Sequence, residues 1–172
     1  TQPIWMNIWV PQSAKAGKYK GTLTVTGKNA SPMELQIEVD VLNRTLPAPK
    51  DWAFHLDLWQ NPYSVARYYQ VPLWSKEHFD AMRPIMKMLA NAGQRAITTS
   101  IMHKPWAGQT EDHFDSMITR IKKIDGTWAY DYAVFDKWVE FMMNEIGIDD
   151  MISCYTMIPW ALSFDYYDEA TN

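Results

Sequence analysis

Apolar and polar residues alternate along residues 1–45. The alternation occurs in three stretches, I-W-M-N-I-W-V, Y-K-G-T-L-T-V-T and M-E-L-Q-I-E-V-D-V, which begin at Ile4, Tyr19 and Met33. A period of two is typical of half-exposed strands, and the intervening P-Q-S-A-K-A-G-K and G-K-N-A-S-P are typical of turns. Three such strands with one apolar face cannot close a sandwich core. We therefore expect residues 1–48 to be the C-terminal part of an antiparallel β-sandwich.

The period changes after a short proline-containing linker at residues 46–51. Residues 54–59, 96–101 and 151–158 read as buried strands, and two helical patterns lie between them. Ser75 is the predicted N-cap of the first helix, which contains Pro84 and ends near Gly93. Its apolar positions are Phe79, Met82, Ile85, Met86 and Leu89. The second helix carries Phe135, Trp138, Val139, Met142 and Ile146 and ends at Gly147.

This order of elements predicts an α/β fold. Strand, helix, strand, helix, strand is the βαβ pattern, in which right-handed crossovers produce parallel strands covered by helices. No glycine-rich loop follows a strand, which argues against a nucleotide-binding doubly wound sheet. Long polar insertions after the strands favour a (β/α)8 barrel. We therefore predict that residues 49–172 form the first three β/α units of such a barrel.

Residues 117–132 fit two local structures. Their apolar spacing fits a helix, whereas Asp125-Gly126 followed by T-W-A-Y-D-Y fits a β-hairpin. We predict the hairpin.

Composition and charge exclude several classes of partner. The 16 basic and 20 acidic residues give a net charge of −4 and are mixed along the chain, so no basic stripe is present to bind nucleic acid. No segment approaches the roughly 18 apolar residues of a membrane-spanning helix. The single cysteine, Cys154, lies in an apolar run and is predicted to be a buried thiol. Nine tryptophans in 172 residues indicate that some line a cleft, because an indole N–H needs a partner.

Aromatic and polar side chains cluster where the predicted strands end. In a barrel, the loops after the strand C-termini carry the active site. Trp and Tyr provide flat apolar faces for a sugar ring, and carboxylates, amides and imidazoles bind its hydroxyls. The predicted substrate-binding residues are His55, Asp57, Trp59, Gln60, Asn61, His103, Trp106, Tyr155 and Trp160.

Other interpretations of these residues remain open. Asn61-Pro62 is also a common turn start, so a structural role is the plainer interpretation of Gln60 and Asn61, with Asn61 as the cap of the following helix. Trp59, Trp106 and Trp160 are equally well interpreted as packing under a loop. His55 and Asp57 share a strand face, but without a Cys or second His nearby we predict no metal site and no cofactor. His78 and His113 are predicted to be solvated residues of a helix or loop.

Six segments of the chain resemble glycoside hydrolase family 123 and its relatives of unassigned activity. They are V-P-Q-S-A-K-A-G-K-Y-K-G-T-L-T-V, L-P-A-P, F-H-L-D-L-W-Q-N-P-Y, I-T-T-S-I-M-H-K-P-W, K-K-I-D-G-T-W-A-Y-D-Y-A-V-F-D-K-W-V and M-I-P-W. The resemblance implies a bacterial β-N-acetylgalactosaminidase with a β-sandwich followed by a (β/α)8 barrel. It also implies an extracytoplasmic location, periplasmic or at the cell surface.

The resemblance further implies substrate-assisted retaining hydrolysis. The 2-acetamido oxygen of the substrate attacks the anomeric carbon, an Asp orients that group, and the adjacent Glu is the general acid and base. In the family this pair lies on a later barrel strand, which we expect this chain not to reach. Asp168-Glu169 lies in Y-Y-D-E-A-T-N, where a turn between two strands is expected. We therefore predict no catalytic residue in this chain.

The sequence thus predicts part of a truncated glycoside hydrolase with a glycan substrate. The 172-residue chain alone is expected to be inactive, and to associate with the remainder of the barrel or with itself, because incomplete sheets expose their edges. One alternative is a non-catalytic glycan-binding protein with an aromatic-lined cleft. Another is a structural fragment without a ligand.

Overall fold

The computed structural model describes residues 3–106, 109–155 and 163–171. They belong to two compact units, residues 1–47 and 48–172.

The first unit is built on a β-hairpin. Strand β1 (Gly17–Gly27) pairs antiparallel with β2 (Ala30–Val41), in a register that runs from Gly17 opposite Val41 to Val25 opposite Met33. Two of the three predicted strands are thereby confirmed.

The remaining predicted strand of this unit, at residues 4–10, is wrong. Within the described part of the chain no strand pairs with it, and the side chains of Trp5 and Trp9 are 88% and 86% exposed. An alternating pattern alone does not form a strand, because the strand also needs a neighbour for its backbone hydrogen bonds.

The second unit has a mixed α/β architecture. It begins with a 3-10 turn, Pro49–Asp51. Its elements are α1 (Pro62–Tyr69), α2 (Lys76–Asn91), β3 (Ala96–Ser100), β4 (Thr119–Lys122), β5 (Trp128–Asp131), α3 (Ala133–Glu140), β6 (Met151–Tyr155) and β7 (Tyr167–Asp168). The chain after α3 continues as a π-helix, Phe141–Ile146. Gly147 ends this π-helix in a left-handed conformation at φ 86°, which glycine adopts without steric strain.

The central parallel pair is as predicted. Strand β3 pairs with β6 in parallel, from Ala96 opposite Met151 to Ser100 opposite Tyr155. Residues 156–158 of the predicted third strand lie outside the described residues. The predicted strand at residues 54–59 is wrong, since among the described residues this segment makes a single parallel bridge, from Leu56 to Gln94 just before β3.

The hairpin prediction is confirmed. Strands β4 and β5 are antiparallel, and Gly126 occupies the turn at φ 83°. The Asp125 carboxylate accepts a hydrogen bond from the Thr127 N–H at 2.9 Å, which is the local bonding that makes Asp favourable in turns. Strand β7 pairs in parallel with β4. Asp168 therefore lies in a short strand rather than in the expected turn.

The core of the second unit lies between α2, α3, the π-helix and β3. Ser75 caps α2, as predicted, by accepting a hydrogen bond from the His78 N–H at 3.2 Å. The buried core residues are Met82, Met86, Ile97, Met117, Trp138, Val139, Phe141, Met142, Ile146 and Ile148. Ile85 was predicted to share this face, but its side chain remains exposed.

Two further sequence predictions are wrong. Cys154 is exposed rather than buried, although its Sγ lies 3.3 Å from the Thr99 hydroxyl of β3. His78 was expected to be solvated, but it is fully buried because both of its ring nitrogens have backbone partners. His113 is exposed, as predicted. No described helix is long and apolar enough to cross a membrane.

Candidate functional site

The segment that carries Asp57 and Trp59 runs beside β3 without forming a strand. Two glutamine side chains replace the backbone ladder. The amide oxygen of Gln94 accepts from the Leu58 N–H at 2.8 Å, and the amide oxygen of Gln60 accepts from the Thr98 N–H at 2.7 Å. The Gln60 N–H donates to the Thr98 hydroxyl at 3.2 Å. Beyond the backbone bridge at Leu56, the bonds that would extend this segment as a strand are therefore made by side chains.

Gln60 and Asn61 have structural roles in this arrangement. Gln60 is 2% exposed, and its NH2 group donates to the Leu58 and Ala96 carbonyls. Asn61 caps α1 by accepting a hydrogen bond from the Ser64 N–H at 3.2 Å. The capping interpretation of Asn61 is therefore confirmed. Gln60 has no free amide group to offer a substrate.

Three aromatic side chains from separate parts of the chain meet near the ends of β3 and β6. Trp59, Trp106 and Tyr155 form an aromatic trio. The ring centroids of Trp59 and Trp106 are 5.4 Å apart, those of Trp59 and Tyr155 5.1 Å, and those of Trp106 and Tyr155 5.0 Å. These separations lie in the favourable range for aromatic pairs. Trp59 nevertheless remains 58% exposed, so one aromatic surface is available to a ligand.

A groove of about 200 Å³ runs beside the trio. Its lining residues are Trp59, Asn61, Trp106, Gln109, Thr110 and Phe114. The Phe114 ring packs against Trp106 with the centroids 4.6 Å apart. Gln109, Thr110 and Phe114 were not predicted, because they follow Trp106 in an insertion whose path no periodic pattern indicates.

Asp57 lies next to the trio with an unpaired oxygen. One carboxylate oxygen, Oδ1, is buried and has no hydrogen-bond partner among the residues that the structure describes. Burial raises the pKa of the Tyr155 phenol, and the negative charge of Asp57 raises it further. A buried acceptor without a donor is unfavourable by about 1 to 3 kcal/mol. A donor that reached this oxygen would remove the penalty, but because the oxygen is buried, a ligand hydroxyl reaches it only if the Asp57 side chain turns toward the groove.

His103 belongs to a second cavity. Its Nδ1 lies 3.2 Å from Asp115 and its Nε2 lies 3.7 Å from Asp165. The cavity has a volume of about 370 Å³, and its lining includes Arg120 and Tyr166. The same loop, residues 101–118, thus borders the trio through Trp106 and this cavity through His103.

The remaining predicted residues lie apart or outside the described chain. His55 is exposed, one residue before the bridge at Leu56. Trp160 lies outside the described residues. Across residues 3–106, 109–155 and 163–171, no three His, Cys, Asp or Glu side chains are grouped so as to hold a metal ion.

The adjacent acids near the C-terminus are engaged by lysines. Asp168 lies 3.7 Å from the Lys122 ammonium group, and Glu169 forms an ion pair with Lys123. Both lysines are at the end of β4 or directly after it, beside β7. These contacts attach β7 to β4, which is a structural role for both carboxylates.

Comparison with known proteins identifies the family. Residues 59–172 match the model of the glycoside hydrolase 123 catalytic domain, and residues 1–27 match the glycoside hydrolase 123 N-terminal domain. No curated protein matches the chain.

A solved structure supports the same assignment. It is a family 123 glycoside hydrolase from Clostridium perfringens, analysed for glycolipid glycan hydrolysis. The two proteins share 34% identity with a TM-score of 0.86 over 94% of this chain, which spans 29% of the length of that protein. The chain belongs to glycoside hydrolase family 123.

Proposed function

We propose that the protein acts as a glycoside hydrolase on glycans that contain N-acetylhexosamine, and that this chain supplies part of the sugar-binding surface. The observation that carries the proposal is the aromatic trio beside the unpaired buried oxygen of Asp57. A sugar ring has an apolar C–H face and a rim of hydroxyls, so it needs both features at once.

The dimensions of the groove fit a small part of a glycan. Pockets for drug-sized ligands have volumes of about 300 to 1,000 Å³, whereas this groove measures about 200 Å³. One sugar ring stacked on Trp59 suits this volume better than an oligosaccharide. Asp57 does not line the groove, so it becomes the acceptor for a ring hydroxyl when its carboxylate turns toward the ring on Trp59.

The proposed reaction is substrate-assisted retaining hydrolysis. Its acid pair comes from a part of the parent protein other than the residues described here, because Asp168 and Glu169 are held by Lys122 and Lys123. Residues 1–48 would then belong to a β-sandwich and residues 49–172 to the first three units of a (β/α)8 barrel. The parallel pairing of β3 with β6 supports the barrel.

The same proposal implies a partner and a location. Met151 and Ile152 on β6 are exposed apolar residues, which supports contact with the remainder of the barrel or with a second copy. Light scattering that shows a non-associating monomer at high concentration would contradict this. We propose an extracytoplasmic location, which fractionation of the native host would test.

Binding is tested by titration calorimetry with methyl N-acetyl-β-D-galactosaminide. Trp59→Ala should weaken binding by about 2- to 13-fold, because one aromatic contact contributes about 0.5 to 1.5 kcal/mol. Asp57→Asn should weaken it by about tenfold, since hydrogen bonds to a charged group are the stronger ones. Trp128→Ala is the matched control, because Trp128 is partly exposed and packs against Phe164 and Tyr166. Equal losses in Trp128→Ala and Trp59→Ala would refute the site.

Catalysis is tested with an aryl N-acetyl-β-galactosaminide. We expect hydrolysis by the parent protein and none by the 172-residue chain, since loss of a general acid lowers rates by about 10² to 10⁴. Activity of the short chain that disappears in Asp168→Asn or Glu169→Gln would show that these acids are catalytic. An inactive parent that still binds the glycoside would instead indicate a non-catalytic glycan-binding protein.

A further inference from the structure

We infer that Gln60 and Gln94 are positioning residues, which set the orientation of Asp57 and Trp59 toward the ligand. The inference rests on the proposed function for its consequence in binding. Its structural basis is independent, because it follows from the hydrogen bonds of two buried amides.

Both backbone groups of Leu58 are held by side-chain amides. The Leu58 N–H donates to the Gln94 amide oxygen at 2.8 Å, and the Leu58 carbonyl accepts from the Gln60 NH2 group. Leu58 lies between two candidate binding residues, Asp57 and Trp59. Fixing the peptide groups on either side of Leu58 therefore fixes the directions in which those two side chains leave the backbone.

The two amides meet at one acceptor on β3. The Ala96 carbonyl accepts from the Gln94 NH2 group at 2.7 Å and from the Gln60 NH2 group at 3.2 Å. The Gln60 amide oxygen also accepts from the Thr98 N–H. Each glutamine thus uses its donor and its acceptor together, which only an amide side chain provides in one planar group. Glutamate would retain the acceptor and lose the donor, and leucine would lose both.

The sheet itself does not depend on these amides. Strand β3 is paired with β6 over five residue pairs, and the Trp138 indole donates to the Thr98 carbonyl at 2.9 Å. Directly after residues 57–60, Asn61 caps α1. Loss of one glutamine should therefore release residues 57–59 while the rest of the unit stays folded.

The test uses near-ultraviolet circular dichroism of the 172-residue chain. Closely packed aromatic rings give a coupled near-ultraviolet signal. The difference between the spectra of the wild type and of Trp59→Phe defines the trio signal, which is the part of the spectrum that comes from the aromatic trio. Gln94→Leu should lose most of the trio signal. Gln94→Glu and Gln60→Glu should each lose part of it. Far-ultraviolet spectra check that each variant retains its helices.

A core variant provides the control for a purely structural effect. Met86→Ala removes volume from the buried core of α2 and lowers stability, but it should leave the trio signal at its wild-type value. In binding to methyl N-acetyl-β-D-galactosaminide well below the melting temperature, Gln94→Leu should be about tenfold weaker and Met86→Ala unchanged.

The outcomes separate this inference from the proposed function. Glutamine variants that keep the full trio signal, or Met86→Ala that loses the same share, would overturn the positioning role. A wild-type chain that does not bind the glycoside, with a trio signal that still depends on Gln94, would refute the proposed function and leave the positioning role supported.

Discussion

His78 should make a large contribution to the stability of the second unit. Its ring is fully buried. Nδ1 accepts a hydrogen bond from the Trp74 N–H at 3.0 Å, and Nε2 donates to the Pro62 carbonyl at 2.8 Å. The imidazole thereby connects the first residue of α1 to the turn that precedes α2. This arrangement requires the neutral ring with its proton on Nε2.

The magnitude follows from the groups that the ring satisfies. His78→Ala leaves the Trp74 N–H and the Pro62 carbonyl without partners, and each such buried group costs about 1 to 3 kcal/mol. Trp74 is only half-buried, so water replaces part of its bond. We expect a loss of about 2 to 4 kcal/mol in the free energy of unfolding. His113→Ala is the control, because exposed substitutions typically change stability by less than about 0.5 kcal/mol.

The same residue makes stability depend on pH. Burial lowers the pKa of the His78 imidazole, and the hydrogen bond to Pro62 only partly opposes this effect. The unfolded chain, with a histidine pKa of about 6.5, therefore binds a proton before the folded chain does. Stability contributed by neutral His78 is complete above pH 6.5 and decreases as the pH falls from there to the lowered folded pKa. The slope from this one group is at most about 1.4 kcal/mol per pH unit.

Urea denaturation at several values between pH 7.5 and pH 5 measures both effects. His78→Gln retains a donor for the Pro62 carbonyl and cannot be protonated, so its stability should lack the slope from His78 in that range. A cost below 0.5 kcal/mol for His78→Ala at pH 7.5 would refute the hydrogen-bond argument. An unchanged slope in His78→Gln would refute the protonation argument.

Three smaller changes test local features of the fold by the same denaturation assay. Ser75→Ala removes the cap of α2 and should cost about 1 kcal/mol; no change would mean that water replaces the cap. Trp138→Phe removes the donor to the Thr98 carbonyl and should cost about 1 to 3 kcal/mol, and a stable variant would contradict the burial of that carbonyl. Gly93→Ala places a Cβ 3.0 Å from the Trp52 ring, on a backbone with φ 86°. It should lower the free energy of unfolding by more than about 1 kcal/mol, and a smaller loss would mean that the indole moves aside.

Local patterns in the sequence were sufficient for several elements. The cap at Ser75, the turn at Asp125-Gly126 and the helix end at Gly147 depend on backbone chemistry within a few residues. A prediction from neighbouring residues succeeds here because the deciding interactions are also between neighbours.

The tertiary structure decided what the candidate site contains. Residues 54–59 have the pattern of a strand, but Gln60 and Gln94 take the backbone bonds that a strand would make. Those partners are up to 38 positions apart along the chain, so no local pattern reveals them. The burial of His78 likewise depends on partners outside its own helix, Trp74 and Pro62, which lie 4 and 16 positions away.

The sequence by itself determined which types of side chain are available for the site, and the fold determined which of these side chains lie together. Trp59, Trp106 and Tyr155 were all candidates, and the parallel pairing of β3 with β6 is what brings the last of them to the first two. Gln60 and Asn61 were also candidates, with a structural role as the plainer interpretation, and the backbone does use their amides. A side chain's identity determines which hydrogen bonds it is able to make. Only the packed chain determines which of those bonds remain free for a ligand.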